Sequence, residues 1–386
     1  MPAAPLRADA VALLARAPVF DAHVDSLQRM LDLGHDLGER GSREDGQLDL
    51  VRGREGGLGA VVLVCWVDPC FLAPERAPGD RAFLRAKRLL ETAHALAERH
   101  PDKLRLVGGG AELAEARRDG VIAGIPGIEG GHAIEEDLDK LAWFHSRGLR
   151  VMTLVWNNHL SWIRSCQDGA GAHVPEGLSP FGRDVVRTMN ELGIVVDLSH
   201  AGERSFFDAL DATTRPVIAS HSGCKALHAH PRNLTDDQLR ALARNGGVVG
   251  IVFHPGFLGA DGQAEDARVR RTDAYRALEA DHVAAGGRPE DAELFLAQAR
   301  HLRAHAAPFP AERLVEHVLH AIEVAGIEHV GLGSDYDGIQ RAPVGLEDAA
   351  CYGRLAELLL ERGLGQDDVL RVLGGNMERV FAAVTA

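Results

Sequence analysis

Pro18-Val-Phe-Asp-Ala-His-Val-Asp25 opens on apolar residues and ends with an imidazole and a carboxylate two positions apart. In a strand, alternate side chains share a face, so His23 and Asp25 point the same way. A neutral imidazole beside a hard carboxylate is half of a divalent-metal site. Alone, a His-x-Asp pair is more often a surface or hydrogen-bonded pair. Its weight comes from later strand-like runs that also end in a metal-type or acid–base residue.

Those runs recur along the chain. Gly59-Ala-Val-Val-Leu-Val-Cys-Trp-Val67 is almost continuously apolar, as expected of a parallel strand covered on both faces. Val121-Ile-Ala-Gly-Ile125 leads into Gly127-Ile-Glu-Gly-Gly-His132. Arg150–Trp156, Ile194–His200, Pro216–His221, Gly247–Phe253 and His329–Asp335 follow, with Leu104-Arg-Leu-Val107 as a ninth candidate. Helical spacing covers 1–16, 80–100 (stopped by Pro101) and about 135–147. It returns from Ser179-Pro180 to Gly193, over 236–245 behind a Thr235–Gln238 capping box, and over 311–325. Two more helices, about 345–362 and 367–383, close the chain. Strands alternating with helices imply a parallel sheet, and eight strands close a (β/α)8 TIM barrel. The structural alternative is a doubly wound open sheet; no Gly-x-Gly-x-x-Gly opens a helix, which disfavours its dinucleotide-binding version. The fold class is therefore α/β, a barrel with loop insertions and extra C-terminal helices. The excess over the roughly 250 residues of a simple barrel falls in 26–56, read as a loop with little structure of its own, in a 258–308 insertion and in the last helices. No linker divides the chain, so 1–386 reads as one domain.

Composition narrows the function. The 386 residues are 46% hydrophobic and 25% charged, ordinary globular values, and the net charge is −14. That balance lacks the basic footprint of a nucleic-acid binder. Five cysteines, an odd number without Cys-x-x-Cys spacing, fit a reducing compartment. No secretory signal and no membrane-length apolar run is visible. The expectation is a cytoplasmic protein that engages neither membrane nor nucleic acid.

Barrel chemistry gathers where strands end. There stand His23 and Asp25, then Glu129, His200, His221 and Asp335, on the first, third, fifth, sixth and eighth strands. Singly each has an ordinary reading: His200 and His221 as local hydrogen-bonders, Glu129 as a helix cap, Asp335 as a turn acid with Asp337 competing for any special role. Jointly they offer three imidazoles and enough carboxylates for two divalent ions sharing one carboxylate, which could hold a hydroxide and polarise a carbonyl. None of the four lysines ends an expected strand, so Glu129 has no lysine competitor as the shared ligand.

At this point the chain resembles the membrane (renal-type) dipeptidase family of zinc-dependent, amidohydrolase-like barrels. The resemblance runs from His23-Val-Asp25 to Asn376-Met-Glu-Arg-Val-Phe381. It rests on Gly127-Ile-Glu-Gly-Gly-His-Ala-Ile134, Gly177-Leu-Ser-Pro-Phe-Gly182, Asp197-Leu-Ser-His200, Ser220-His-Ser222, Pro231-Arg-Asn-Leu234 and Gly333-Ser-Asp-Tyr-Asp-Gly338, all in order. It implies two Zn2+ per subunit, one on His23, Asp25 and Glu129 and the other on Glu129, His200 and His221. It also implies a bridging hydroxide attacking a dipeptide, including L,D-dipeptides. Asp335 would move the proton and Arg232 would clamp the substrate carboxylate. The family's usual histidine after the fourth strand is here Trp156; His159 is the nearest imidazole and the expected catalytic and substrate-binding stand-in, with Asn157 or Asn158 as alternatives. Family members often pair as homodimers. The competing functions are a binuclear amidohydrolase acting on a lactone, cyclic amide or acylated amino acid, and a non-catalytic binding barrel.

Overall fold

Eight strands form a closed ring. They are β1 (Val19–Val24), β2 (Leu58–Trp66), β4 (Ile122–Glu129), β5 (Val151–Thr153), β6 (Val195–Asp197), β7 (Ile218–Ser222), β8 (Val248–Ile251) and β9 (Val330–Leu332). Every pairing is parallel, and β2 skips β3 (Leu104–Leu106) to pair with β4, so β3 hangs on β4 outside the ring. The computed structural model describes residues 6–16, 18–73 and 81–386. The start of the helix expected over 1–16 and the first residue of that expected over 80–100 lie outside them.

The strands form where the apolar runs predicted them. Along β2, Val62 and Val64 point into the barrel with Ala22, Ile125, Ile218 and Val248, while Val61, Leu63 and Cys65 pack outward against the helices. This two-faced burial is why the run carries no polar alternation. The floor is plugged by the C-terminal helix Asn376–Val384, whose Met377, Val380, Phe381 and Val384 join the interior cluster. A π-turn over Arg371–Gly375 precedes it. A Cβ on Gly374 would lie 2.9 Å from the Phe20 nitrogen and the Pro18 oxygen, so only glycine lets this turn approach β1.

Two stretches differ from expectation. Residues 26–56 hold two helices, Leu27–Leu33 and Leu50–Glu55. Their polarity is internal pairing rather than solvation: buried Arg52 bonds Asp49 at 2.6 Å and Asp348 at 3.2 Å, and buried Arg29 bonds Asp337 at 2.7 Å. The 258–308 insertion contains helices Ala260–Arg270, Asp273–Ala284 and Ala292–His305, and residues of its 289–296 stretch reach the barrel mouth. Helices Gly110–Asp119 and Glu203–Ala212 complete the βα alternation at places the sequence left unassigned.

The mouth departs from regular strand geometry. The β1–β2 register slips between Asp21 and Val24, and the β7–β8 register slips between Ala219 and Ser222. Such irregularities re-aim side chains. Phe20, Ala22 and Ile218 face the barrel interior, yet His23 and His221, on the opposite alternation, also turn inward at the top. On β4 the register is regular, and Ala123, Ile125 and Glu129 share one phase.

Candidate metal centre

Six side chains from five strands meet at the barrel mouth, among them Glu129 with one oxygen facing three imidazoles. Its Oε1 is 2.9 Å from His200 Nε2, 3.4 Å from His221 Nε2 and 3.5 Å from His23 Nε2. Asp25 Oδ2 is 3.5 Å from the same His23 nitrogen. Three ligand sets overlap: His23, Asp25 and Glu129; Glu129, His200 and His221; and His23, His221 and Asp335, each with its donor atoms within 4.8 Å. All but half-buried Asp335 are buried.

Outer partners set the tautomers. His200 Nδ1 lies 2.9 Å from Asn157 Oδ1, an acceptor, so Nδ1 carries the proton and Nε2 a lone pair. His221 Nδ1 faces Ser220 Oγ at 2.8 Å. The two Nε2 atoms then confront each other at 3.0 Å beside Glu129. Buried lone pairs converging this closely repel unless a cation lies among them. His23 Nε2, Asp25 Oδ1 and Glu129 Oε1 have no hydrogen-bond partner among the described residues, although buried polar atoms are normally bonded. The donor set is nitrogen plus carboxylate oxygen, which suits zinc and its borderline neighbours. The residues present therefore fit a divalent-metal centre.

The electrostatics agree. Burial, then the Arg232 and His23 charges, holds His200 well below the usual histidine range; the same causes act on His221. Both imidazoles stay in the neutral, ligating form. Burial presses His23 down too, but the Glu129 and Asp25 carboxylates outweigh it and lift it to about 10. Burial pushes Glu129 up to about 8, aided by the Asp25 charge and opposed by that of His23. Asp335 stands well above the carboxylate range, through burial and then the charges of Asp25 and Glu129.

Strained backbone marks the same place. His200 has φ 67°, Asp335 61° and Asp337 69°, a region non-glycine residues avoid. The competition between the two acids resolves by partners. Asp337 is saturated by Ser26 Oγ at 2.5 Å, Arg29 Nη2 at 2.7 Å and the Gln47 nitrogen at 2.6 Å. Asp335 receives none of these donors and faces the cavity beside Asp25.

A cavity of about 510 Å³ opens over the cluster. Arg232 enters its wall buried, with Nη2 on the His221 carbonyl at 3.0 Å and Nε without a hydrogen-bond partner. Trp66 and Trp156 meet edge to face at 5.1 Å on another side. His159 is not at the wall. Its Nδ1 lies 3.1 Å from Ser165 Oγ and its Nε2 3.4 Å from the Asp168 carbonyl, because the chain after Trp156 folds back on itself. Of this stretch, Trp156 and Asn157, and not His159, line the cavity where substrate contact was expected.

Sequence reasoning missed several neighbours. His230 and His254 each stack on Phe257 with ring centres 4.4 Å apart, and all three residues line the cavity. Asp197 lies beneath the histidines, held by four donors: Thr153 Oγ1 at 2.5 Å, Ser220 Oγ at 2.6 Å and the Ser199 and Ser220 nitrogens. A carboxylate inside the apolar run Ile194-Val-Val-Asp-Leu198 was the available signal, since buried charges are paired.

Comparison with known proteins places this geometry. A model of the membrane dipeptidase family, peptidase family M19, matches residues 7–386. The dipeptidase tcpJ of Claviceps purpurea is 30% identical over 348 residues, covering 88% of this chain and 69% of its own. A metallo peptidase from Rhodobacter sphaeroides, solved with a phosphinate mimic of the dipeptide L-Ala-D-Ala, is 26% identical with a TM-score of 0.76, over 95% of this chain and 99% of that one. The metallo peptidase dipeptidase AC, of family M19, is 27% identical with a TM-score of 0.75 over the same shares. Among the described residues no helix is long and apolar enough to cross a membrane.

Proposed function

This chain belongs to the membrane dipeptidase family, M19, and is a metallo-dipeptidase; from that premise we propose that it is a two-zinc enzyme cleaving the peptide bond of dipeptides, L,D-dipeptides included. The observation that carries the reading is the single Glu129 oxygen facing His23, His200 and His221 at 2.9–3.5 Å. His23, Asp25 and Glu129 would hold one ion, and Glu129, His200 and His221 the other. Bound there, the ions would supply the positive charge that polarises the peptide carbonyl and acidifies water at neutral pH.

The chain's own residues do the rest. Arg232 keeps N–H donors toward the cavity after its bond to the His221 carbonyl, and its fork suits a free carboxylate. That anchors the C-terminal end of a dipeptide and limits the length of substrate. Burial, then the Asp25 charge, lifts Asp335 well above the usual carboxylate range, which suits a group that takes up and gives back a proton. It would take a proton from attacking water on a carboxylate oxygen and hand it to the leaving amine. The strained backbone at Asp335 aims that carboxylate, and its nitrogen bonds the His23 carbonyl at 3.0 Å, tying the acid to the ligand strand. Trp66 and Trp156 give an apolar corner for a side chain. The Rhodobacter sphaeroides relative's L-Ala-D-Ala mimic supports a D-residue in second position. We read the whole of 1–386 as one such hydrolase unit.

The test is release of free amino acids from a panel of L,L- and L,D-dipeptides, before chelation, after it, and after Zn2+ is restored. Turnover that vanishes with chelator and returns with Zn2+ is the expected result. Zinc-loaded protein that cleaves no dipeptide, or stripped protein that works undiminished, defeats the proposal.

A further inference from the structure

Ser220 stands behind the centre rather than in it. Its Oγ lies 2.8 Å from His221 Nδ1 and 3.3 Å from His23 Nδ1. Of the two ligand sets that share Glu129, one contains His23 and the other His221, and the two histidines meet in the set with Asp335. The same oxygen lies 2.6 Å from Asp197 Oδ2, and more distantly, at 3.4 Å, from Ser199 Oγ. All five residues are buried.

A proton inventory fixes the direction of each bond. A serine hydroxyl has one proton to give and two lone pairs to receive with. An ionised carboxylate only accepts. Asp197 takes backbone N–H donors from Ser199 and Ser220 on Oδ1, and the Thr153 hydroxyl on Oδ2. The charge-assisted bond to Asp197 at 2.6 Å therefore claims the Ser220 proton. Both lone pairs remain, and two imidazole Nδ1 atoms face them. Each Nδ1 must then carry hydrogen, which leaves His221 Nε2 with its lone pair toward Glu129 and makes Nε2 the nitrogen of His23 that gives up its proton when a cation binds.

We propose that Ser220, oriented by Asp197, is a positioning residue shared by both metal sites: one hydroxyl holds His23 and His221 in the Nδ1–H tautomer at once. The inference rests on the two-metal reading above. Outer partners of metal-bound histidines usually serve one ligand each, and their loss costs about 10- to 100-fold in affinity. Here a single atom serves two ligands of two sites, so its loss weakens both. The register slip between Ala219 and Ser222 brings it there, by letting His221 turn to the mouth while Ser220 lies between the two rings.

Asp197→Asn gives a sharper consequence. Two backbone N–H groups face Oδ1, so the amide oxygen must take that position and the NH2 must take the position of Oδ2. The NH2 then donates to Ser220 Oγ, and the Ser220 proton turns to an imidazole Nδ1, since His221 Nδ1 at 2.8 Å is a nearer acceptor than Ser199 Oγ at 3.4 Å. That ring is forced to the Nε2–H tautomer and can no longer ligate through Nε2.

The experiment uses the full chain. Zn2+ affinity and stoichiometry are measured by competition with a chromophoric chelator for wild type, Ser220→Ala, Asp197→Asn and Thr153→Val, with thermal melting alongside. Wild type is expected to bind two Zn2+. Ser220→Ala should weaken both sites by about 10- to 100-fold each, and Asp197→Asn should lose one site before the other. Thr153→Val, which removes a bond to Asp197 but touches no histidine, should lower the melting temperature and keep two Zn2+ at near wild-type affinity. Long-range 1H–15N correlations of histidine in Zn2+-loaded wild type, which need no variant to fold, should show Nδ1–H at His23 and His221. If wild type binds two Zn2+ and Ser220→Ala leaves either site unchanged, or either ring is the Nε2–H tautomer, the shared hydroxyl is wrong while the two-metal reading stands. If wild type binds fewer than two Zn2+, both fall.

Discussion

The floor and the mouth of this barrel are built from the same strands by opposite means. At the floor, the interior is apolar, and the helix Asn376–Val384 closes it with Phe381 6.3 Å from Phe20, ring centre to ring centre. At the mouth, β1 and β7 break register and His200 and Asp335 sit at positive φ. Three buried atoms of the ligand cluster lack hydrogen bonds there. Each strained residue costs about 1–3 kcal/mol, and only a surrounding structure that over-determines the site keeps it. The floor supplies that surplus. Stability and chemistry should therefore separate by height in the barrel, and variants at the two ends should fail differently.

The largest effect belongs to Glu129→Gln. The amide has the shape of the carboxylate but one oxygen and no charge, and both proposed sites lose a ligand. We expect Zn2+ content to fall below two and turnover to drop by at least about 10³-fold. The fold should survive. Burial already pushes the Glu129 carboxyl up to about 8, so a neutral isostere should let metal-free protein melt no lower than metal-free wild type. A Glu129→Gln protein with full Zn2+ content and near-normal turnover would erase the distinction drawn here.

Phe381→Ala tests the other end. Phe381 is buried against the barrel interior, and truncating such a ring costs about 3–5 kcal/mol. The melting temperature should fall steeply while kcat and Zn2+ affinity, measured well below the melt, stay near wild type. If Phe381→Ala instead lowers Zn2+ affinity at full foldedness, the floor and mouth are coupled and the comparison fails. Next comes Arg232→Ala, a mouth change that spares the ligands. Losing one partner of a buried charged hydrogen-bonded contact costs about 2–5 kcal/mol, roughly 30- to several-thousand-fold in kcat/KM for dipeptides. Substrates lacking a free carboxylate should lose little, and Zn2+ content should hold. Little loss on either substrate type would favour the amidohydrolase reading, in which no free carboxylate is clamped.

What the sequence disclosed follows the same division. The strands and their order were legible because a parallel strand covered on both faces must be an apolar run, as Leu58–Trp66 is. The six polar residues at strand ends were legible because a barrel brings those ends together. The register slips were not: Ala22-His23 and Ser220-His221 carry no glycine or proline to announce a bulge. The shared position of Ser220 was hidden too, since it depends on which ring lies on each side of one hydroxyl. The helices Leu27–Leu33 and Leu50–Glu55 were missed because charges that pair internally, such as Arg52 with Asp49 and Asp348, look like solvated ones in a sequence. The place of His159 off the cavity wall was not legible, because proximity to Trp156 along the chain says nothing about which way the following turn folds.

The smallest effect sharpens the comparison through acid. The apolar floor cluster contains no titratable side chain, whereas the loop after β7 hangs on buried His317. Its Nδ1 accepts from the Cys224 nitrogen at 2.9 Å, and its Nε2 lies 3.2 Å from the Leu258 carbonyl, to which it donates. The bond from the Cys224 nitrogen requires the neutral ring, since a protonated Nδ1 cannot accept, and burial lowers the pKa to about 4. An ordinary unfolded histidine titrates near 6.5. The folded state thus binds fewer protons between these values, so this contribution is whole above about pH 6.5 and is lost as pH falls toward 4. From pH 6.5 to 5.5 the loss from this one group is about 1 kcal/mol. His317→Gln, which can still accept and donate, should flatten that part of the denaturant-melt profile against pH without moving Phe381-dependent stability. A profile equally steep in the variant would remove His317 from the mouth's acid sensitivity and leave it to other histidines such as half-buried His254, which desolvation holds at about 3.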